Sequence, residues 1–213
     1  MEAGIAGTGP ATVTSQTGEA GRIVDWVKSA YEDIQNINAS WDFLLSPFTF
    51  PTVIGKQDYS ASDISISNLS KWKADSDEDF TIYSSYADEA HLPLMAWWLF
   101  RQQYLFGSAR SATGRPSVVS VHPNKTLWLS PVPDAVFTVT GQYYCKDFLL
   151  ADTDEPLLPV DYHLAIIWKG LMYYAAYSSA SDLYAHGDRE YKKIIRKMSM
   201  AELPKITFGE PLV

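Results

Sequence analysis

Apolar side chains first settle into a regular pattern at Ile23, Val27, Ala30, Tyr31, Ile34, Ile37 and Trp41, at steps of three and four. That period predicts a helix over 19–38 with one buried stripe, leaving Arg22, Asp25, Lys28, Glu32 and Asp33 on the remaining surface. At Pro47 the period drops to two. "FTFPTVIG" and "SDISISNLSKWKADSDEDFTIYSSY" alternate apolar with polar residues between turn formers, which predicts antiparallel strands within 48–86 and an exposed turn at "KADSDED". "LPLMAWWLFRQQYLFG" then brings Leu94, Trp98, Arg101 and Leu105 onto one helical face. With Pro93 in a first-turn position and Gly107 past the end, it predicts a helix over 92–106, with strand left open by its many aromatics.

A second β region follows over 115–146. Strands are expected near 117–122, 126–130 and 135–145, with turns at "HPNK" and "PVPDA", where Pro fixes φ and Asn or Asp bonds its own backbone. On this reading "LWLSPVPDAVFTVTGQYY", residues 127–144, is a hairpin, and Asp134 is a turn residue. The acidic, proline-rich link "ADTDEPLLPVDYH" leads to a helix over 160–178. That helix is apolar on most of its circumference through Tyr162, Ile166, Trp168, Leu171 and Tyr174. Behind Ser181 as N-cap, a last helix over 181–200 carries Leu183, Tyr184, Tyr191, Ile194, Ile195 and Met198. Gly187 within it either bends it or admits another backbone. Residues 1–18 read as a polar, Gly-rich arm and 201–213 as an extended tail. The fold class is α+β, one module over 19–200 with an inserted sheet.

Composition narrows the function classes. Of 213 residues, 46% are hydrophobic and 20% charged, the balance of a globular chain rather than a disordered one. The net charge of −8 argues against a nucleic-acid binder, which needs clustered cations on its surface. The basic run "REYKKIIRK" at 189–197 has helical spacing and reads as a solvated helix face. No apolar run reaches the roughly 18 residues of a membrane span, and the first residues lack the basic start and apolar middle of a signal peptide. Seven Trp and thirteen Tyr exceed what an ordinary core needs and suit contact surfaces.

Residues able to take protons, attack or ligate are scattered. His91, His122, His163 and His186 fall one to a segment, with none at i, i+4 from another. The single cysteine, Cys145, sits in a predicted strand with no basic neighbourhood to activate it. There is no G-x-S-x-G elbow, "GTGPATV" follows no strand and has no Lys-Ser/Thr ending, and neither "DSDED" nor "DTDE" continues as an EF-hand loop. No catalytic, metal-binding or cofactor-binding residue is expected. A carbohydrate-binding or host-attachment module remains as an alternative, since Trp and Tyr on a sheet face can stack on sugars. A hydrolase using Cys145 or an acidic pair ranks last.

The order of segments carries a resemblance. The helix "RIVDWVKSAYEDIQNINASWDFL", the pair "LPLMAWWLFRQQYLFG" and "GRPSVVSVHPNKTLWLSPVPDAVFTVTGQYY", the link "DTDEPLLPVDYHLAIIWKGLMYYA" and the short basic last helix together resemble the head-to-tail connector, or adaptor, proteins of tailed bacteriophages. This is the group that includes the podoviral tail tubular protein A type. The resemblance implies a small helical bundle with an inserted antiparallel β domain and no catalysis. It further implies a virion protein at the head-tail junction, made in the host cytoplasm and assembled as a ring of about twelve copies beneath the portal. Expected partners are the portal protein, neighbouring copies, tail or nozzle proteins, and double-stranded DNA passing through the channel without specific binding. An acidic channel wall would repel the DNA and let it slide. Portal docking is expected from the tail residues Pro204, Lys205, Ile206, Thr207, Phe208, Pro211, Leu212 and Val213. Contacts with neighbouring subunits or the tail are expected from Trp128, Phe137, Val139, Tyr143, Tyr144 and Tyr83.

Overall fold

The computed structural model describes residues 10, 12–38 and 40–203. Most of the expected arm and the tail from Pro204 onward lie outside the described residues. The fold is α+β, and the chain divides into two compact units: a β unit, Leu45–Cys145, and a helical unit formed by residues up to Leu44 and from Lys146 on.

The helical unit contains α1 (Gly18–Ile37); the β unit opens with β1 (Leu45–Pro51), β2 (Asp58–Tyr59), β3 (Leu69–Trp72), β4 (Phe80–Tyr83) and β5 (Ala90–His91). After α2 (Trp97–Tyr104) come β6 (Thr113–Gly114), β7 (Val118–Val121), β8 (Leu127–Ser130), β9 (Val132–Pro133) and β10 (Thr138–Cys145). The helical unit then resumes with α3 (Leu164–Tyr177) and α4 (Ser181–Ala201).

β10 is the centre of a five-stranded sheet, with β1 on one side, β4 and β3 on the other, and β5 beyond β4. A three-stranded sheet runs β2-β8-β7, and β6 pairs with β9 in parallel. The register Phe48↔Gly141 and Phe50↔Val139 turns the even residues of β1 inward. Phe48 and Phe50 there join Trp72, Phe80 and Ile82 in one core with Val119, Leu127 and Leu129 of the smaller sheet. Rings lock it: Phe48 meets Trp72 edge-on at 5.0 Å and Phe50 meets Tyr59 at 4.8 Å. Gly141 is required by that contact, since a Cβ there would lie 2.8 Å from the Phe48 ring. Pro47 and Pro51 occupy the alternate positions of β1. Lacking N–H groups, they fit only where the backbone faces away from β10, on the outer edge of the sheet.

Two expectations are corrected. The stretch 127–144 is not a hairpin: β8 pairs with β7 and β2, whereas β10 pairs with β1, β3 and β4. Pro131 and Pro133 cannot donate to a continuing ladder, and Val132 between them gives its amide to Ala112 at 2.9 Å. The chain therefore crosses from one sheet to the other, through a cis Ser130–Pro131 bond, and both strands bury their apolar residues in the shared core. The helix expected over 92–106 is confined to Trp97–Tyr104. Before it, the chain runs extended beside β7, with Val119 donating to the Pro93 carbonyl at 3.1 Å and Met95 donating to the Val119 carbonyl at 2.8 Å. Fully buried Leu92 anchors this segment, and the packing outweighs the helical spacing.

In the helical unit α3 lies between α1 and α4. On one side Trp26 meets Tyr174 edge-on at 6.0 Å; on the other Gly187 lets α4 close on α3, where a Cβ would come within 3.1 Å of Met172 Cγ. α4 runs unbroken through Gly187, so the glycine serves close approach rather than a bend. Trp41, fully buried, donates its indole N–H to the Ile34 carbonyl at 3.0 Å and closes the end of α1. Tyr31 donates to the Asp147 carboxylate at 2.5 Å and accepts from the Leu157 amide at 3.0 Å, while Gln35 holds the Asp147 backbone at both ends. Burial, then the Asp147 carboxylate, push the Tyr31 hydroxyl pKa well up, so it stays a neutral donor.

Candidate interaction surfaces

The residues expected to make contacts separate into core and rim. Phe137, Val139 and Tyr144 are 8%, 0% and 2% exposed, so in this chain they serve packing. Trp128 is half-buried against the Trp97 ring at 5.4 Å. Tyr143 is half-buried and donates to Asn68 at 3.2 Å. Tyr83 meets the Tyr86 ring at a tilt, 5.3 Å away, and Tyr86 is 85% exposed and carries the accessible part of that pair. The eight tail residues from Pro204 to Val213 lie outside the described residues. Trp98 is 68% exposed.

The apolar surface that sequence reasoning missed lies elsewhere. In the β unit, loops 52–56 and 133–137 are tied together: Thr52 donates its amide to the Phe137 carbonyl at 2.7 Å and Gly55 donates to Pro133 at 2.9 Å, while the Phe137 amide returns to Thr52 Oγ1 at 2.8 Å. Tyr59, through its hydroxyl, also accepts from the Val53 amide at 2.9 Å. This frame holds Val53, Ile54 and Val136 outward, each more than half exposed. An exposed apolar tip on a hydrogen-bonded frame keeps its shape before any partner arrives.

In the helical unit, Ile23, Trp26 and Val27 of α1 and Ile167, Gly170, Leu171 and Tyr174 of α3 line an open apolar cavity of about 190 Å³. Ile167 is 60% exposed, and Leu164, one turn away, is 55% exposed. Val27 belongs to the stripe expected to be core but stands on the cavity rim, because the buried face of α1 is centred on Val24, Tyr31 and Ile34. The signal for this surface was present in the sequence: α3 is apolar on more of its circumference than two neighbours can cover. Beneath it a polar knot fixes the helices. Asp33 accepts from Lys169 at 3.1 Å and from the Tyr173 hydroxyl. Burial works against the Asp33 charge, yet these donors together hold its pKa below the ordinary value. On the outer face of α4, Lys192 pairs with Asp188 at 2.7 Å, leaving Lys193 and Arg196 exposed.

Possible chemical groups stay dispersed. His122 sits against Trp97, His163 contacts the Leu158 carbonyl, and His186 sits against Trp168, each in a different place. Cys145 is buried. Among the described residues no group of three His, Cys, Asp or Glu is placed to hold a metal ion, and no helix is long and apolar enough to cross a membrane. Among the described residues, the loop tip and the α1–α3 cavity each group apolar contact area in one place. No curated protein matches the sequence. The sequence does match the SU10 adaptor protein family over residues 8–205, nearly its whole length, and the chain therefore belongs to that family of phage head-to-tail adaptors.

Proposed function

We propose that this protein is a structural component of the virion that forms a ring on the portal, completes the DNA-filled head and joins it to the tail. The observation that carries the reading is the family match over residues 8–205. Two features of the fold support it. A ring built by rotation needs two different contact faces on each subunit, and the chain presents two unlike apolar surfaces, the α1–α3 cavity and the loop tip at Val53, Ile54 and Val136. A net charge of −8 also suits a wall past which DNA slides without adhering.

In this reading about twelve copies sit beneath the portal, residues 204–213 dock into it, and tail or nozzle proteins attach below. Trp128, Tyr143, Tyr83 and the loop tip contribute the rims between copies or toward the tail. The protein catalyses nothing. The test is to mix the purified protein with portal rings and examine the mixture by electron microscopy. Rings capped by an added layer are expected. Persistent monomers, together with infectious particles from a phage lacking residues 204–213, would overturn the reading.

A further inference from the structure

We propose that the loop tip at Val53, Ile54 and Val136 of one copy seats Ile54 in the α1–α3 cavity of a second copy. The inference rests on the adaptor reading and deepens it, by naming the contact that joins neighbours in the ring.

Shape is the first ground. The tip holds three apolar side chains outward, and the cavity offers about 190 Å³ between aliphatic and aromatic walls. An apolar cavity of about 150 Å³ is enough to take benzene, and an isoleucine side chain is smaller than benzene. Both surfaces are set before they meet. Gly55, at φ +80°, makes the turn directly behind Ile54, and the bonds from Thr52 to Phe137 and from Gly55 to Pro133 frame it. On the other side, Asp33 with Lys169 and Tyr173 holds α1 against α3. Little freedom is lost when two such surfaces join.

Charge is the second ground, and it selects a second copy as the occupant. On the tip, Lys56 is paired with Asp63 at 2.7 Å, while Asp58 and Asp134 are exposed, so the tip is net acidic. At the cavity, exposed Arg22 precedes the lining residue Ile23, and its guanidinium lies 4.8 Å from the Tyr177 ring, which meets Trp26 at 5.6 Å. At about 100° per residue, Asp25 and Lys28 fall on the far side of α1, and Lys169 is paired with Asp33. The charge bordering the cavity is therefore the Arg22 cation. Gly55, next to Ile54, is bonded to Pro133, next to Asp134, so seating Ile54 brings the Asp134 carboxylate within reach of that cation. Topology is the third ground. The tip and the cavity are different surfaces, so a copy that inserts its tip into one neighbour leaves its cavity open to another. Such a heterologous contact repeats in one direction, as a ring requires.

The experiment mixes two full-length variants with portal rings, an untagged Ile54→Cys protein and a mass-tagged Ile167→Cys protein, oxidises them mildly and reads crosslinked pairs on a non-reducing gel. Both positions are exposed, and the native Cys145 is buried. Mixed pairs are expected to exceed pairs of either variant with itself several-fold. Asp134→Lys in the first protein, or Arg22→Glu in the second, should cut the mixed pairs several-fold, and the two together should restore them. Like pairs as abundant as mixed ones, or a yield unmoved by both charge reversals, overturn the proposal. Capping of the portal is scored on the same samples by electron microscopy. Capped rings without mixed pairs count against this contact alone, mixed pairs without capping against the adaptor reading alone, and the absence of both against both.

Discussion

In the β unit the large apolar side chains of two sheets meet one another, whereas in the helical unit α3 turns Leu164 and Ile167 away from both neighbouring helices. Burial is complete at Phe80, Val119, Leu127 and Leu129, and strongly incomplete along one side of α3. The difference separates two uses of the same residue types. Apolar side chains that meet within the chain stabilise it, and those left uncovered mark where something else is to bind.

The largest effect expected from breaking this comparison is at Phe48. Removing its ring from the contact with Trp72 leaves a cavity, and Phe48→Ala is expected to lower stability by about 3–5 kcal/mol in urea denaturation. Ile167→Ala, an equally apolar residue in the sequence, is expected to change it by about 0.5 kcal/mol or less. A pair of glycines on α3 and α4 sharpens the contrast inside the helical unit. Gly187→Val forces Met172 aside and should cost about 1–3 kcal/mol. Gly170→Ala meets only Val27, at an ordinary 3.9 Å. It should raise the thermal midpoint, corresponding to a gain of about 0.5–1 kcal/mol from the better helix former.

Acid should act through carboxylates that hydrogen bonds hold in the charged form. Burial disfavours the Asp79 charge, but the Lys73 ammonium and the Asp75 and Ser76 amides outweigh it and hold the pKa below the ordinary value. Asp88, bonded first by the Ser84 hydroxyl and then by the Ser85 amide, is lowered to about 2. A depressed carboxylate contributes stability above its unfolded pKa and loses it as pH falls through its folded one. The urea midpoint should therefore drop below about pH 4, the ordinary Asp value, and Asp79→Asn should flatten the decline. The smallest effect is expected at the loop tip: Ile54→Ser should leave the urea midpoint within about 0.5 kcal/mol of the parent, while weakening capture by portal rings or tail proteins.

The three long helices were legible because their 3.6-residue period runs for fourteen residues or more in each. The β7–β8 turn was legible through "HPNK", where Asn124 Oδ1 accepts from the Thr126 amide at 3.1 Å. Alternation in 127–144 told which residues are strand, but not which strands they join, because pairing is decided by a partner far along the chain. Leu92–Met95 has helical spacing yet runs extended, since burial of Leu92 and the bonds to Val119 outweigh local preference. The open cavity was concealed for a related reason. Periodicity identifies an apolar face, and only the packed neighbours reveal whether it is covered.

The prolines of β1 bear on how many copies can crowd together safely. A foreign strand laid along that edge would find two of its expected donors missing at Pro47 and Pro51, so this edge resists being extended by a second copy. Growth of a continuous fibre through this edge is thereby disfavoured. A contact made across this edge is left to side chains, which separate more readily than a paired backbone ladder.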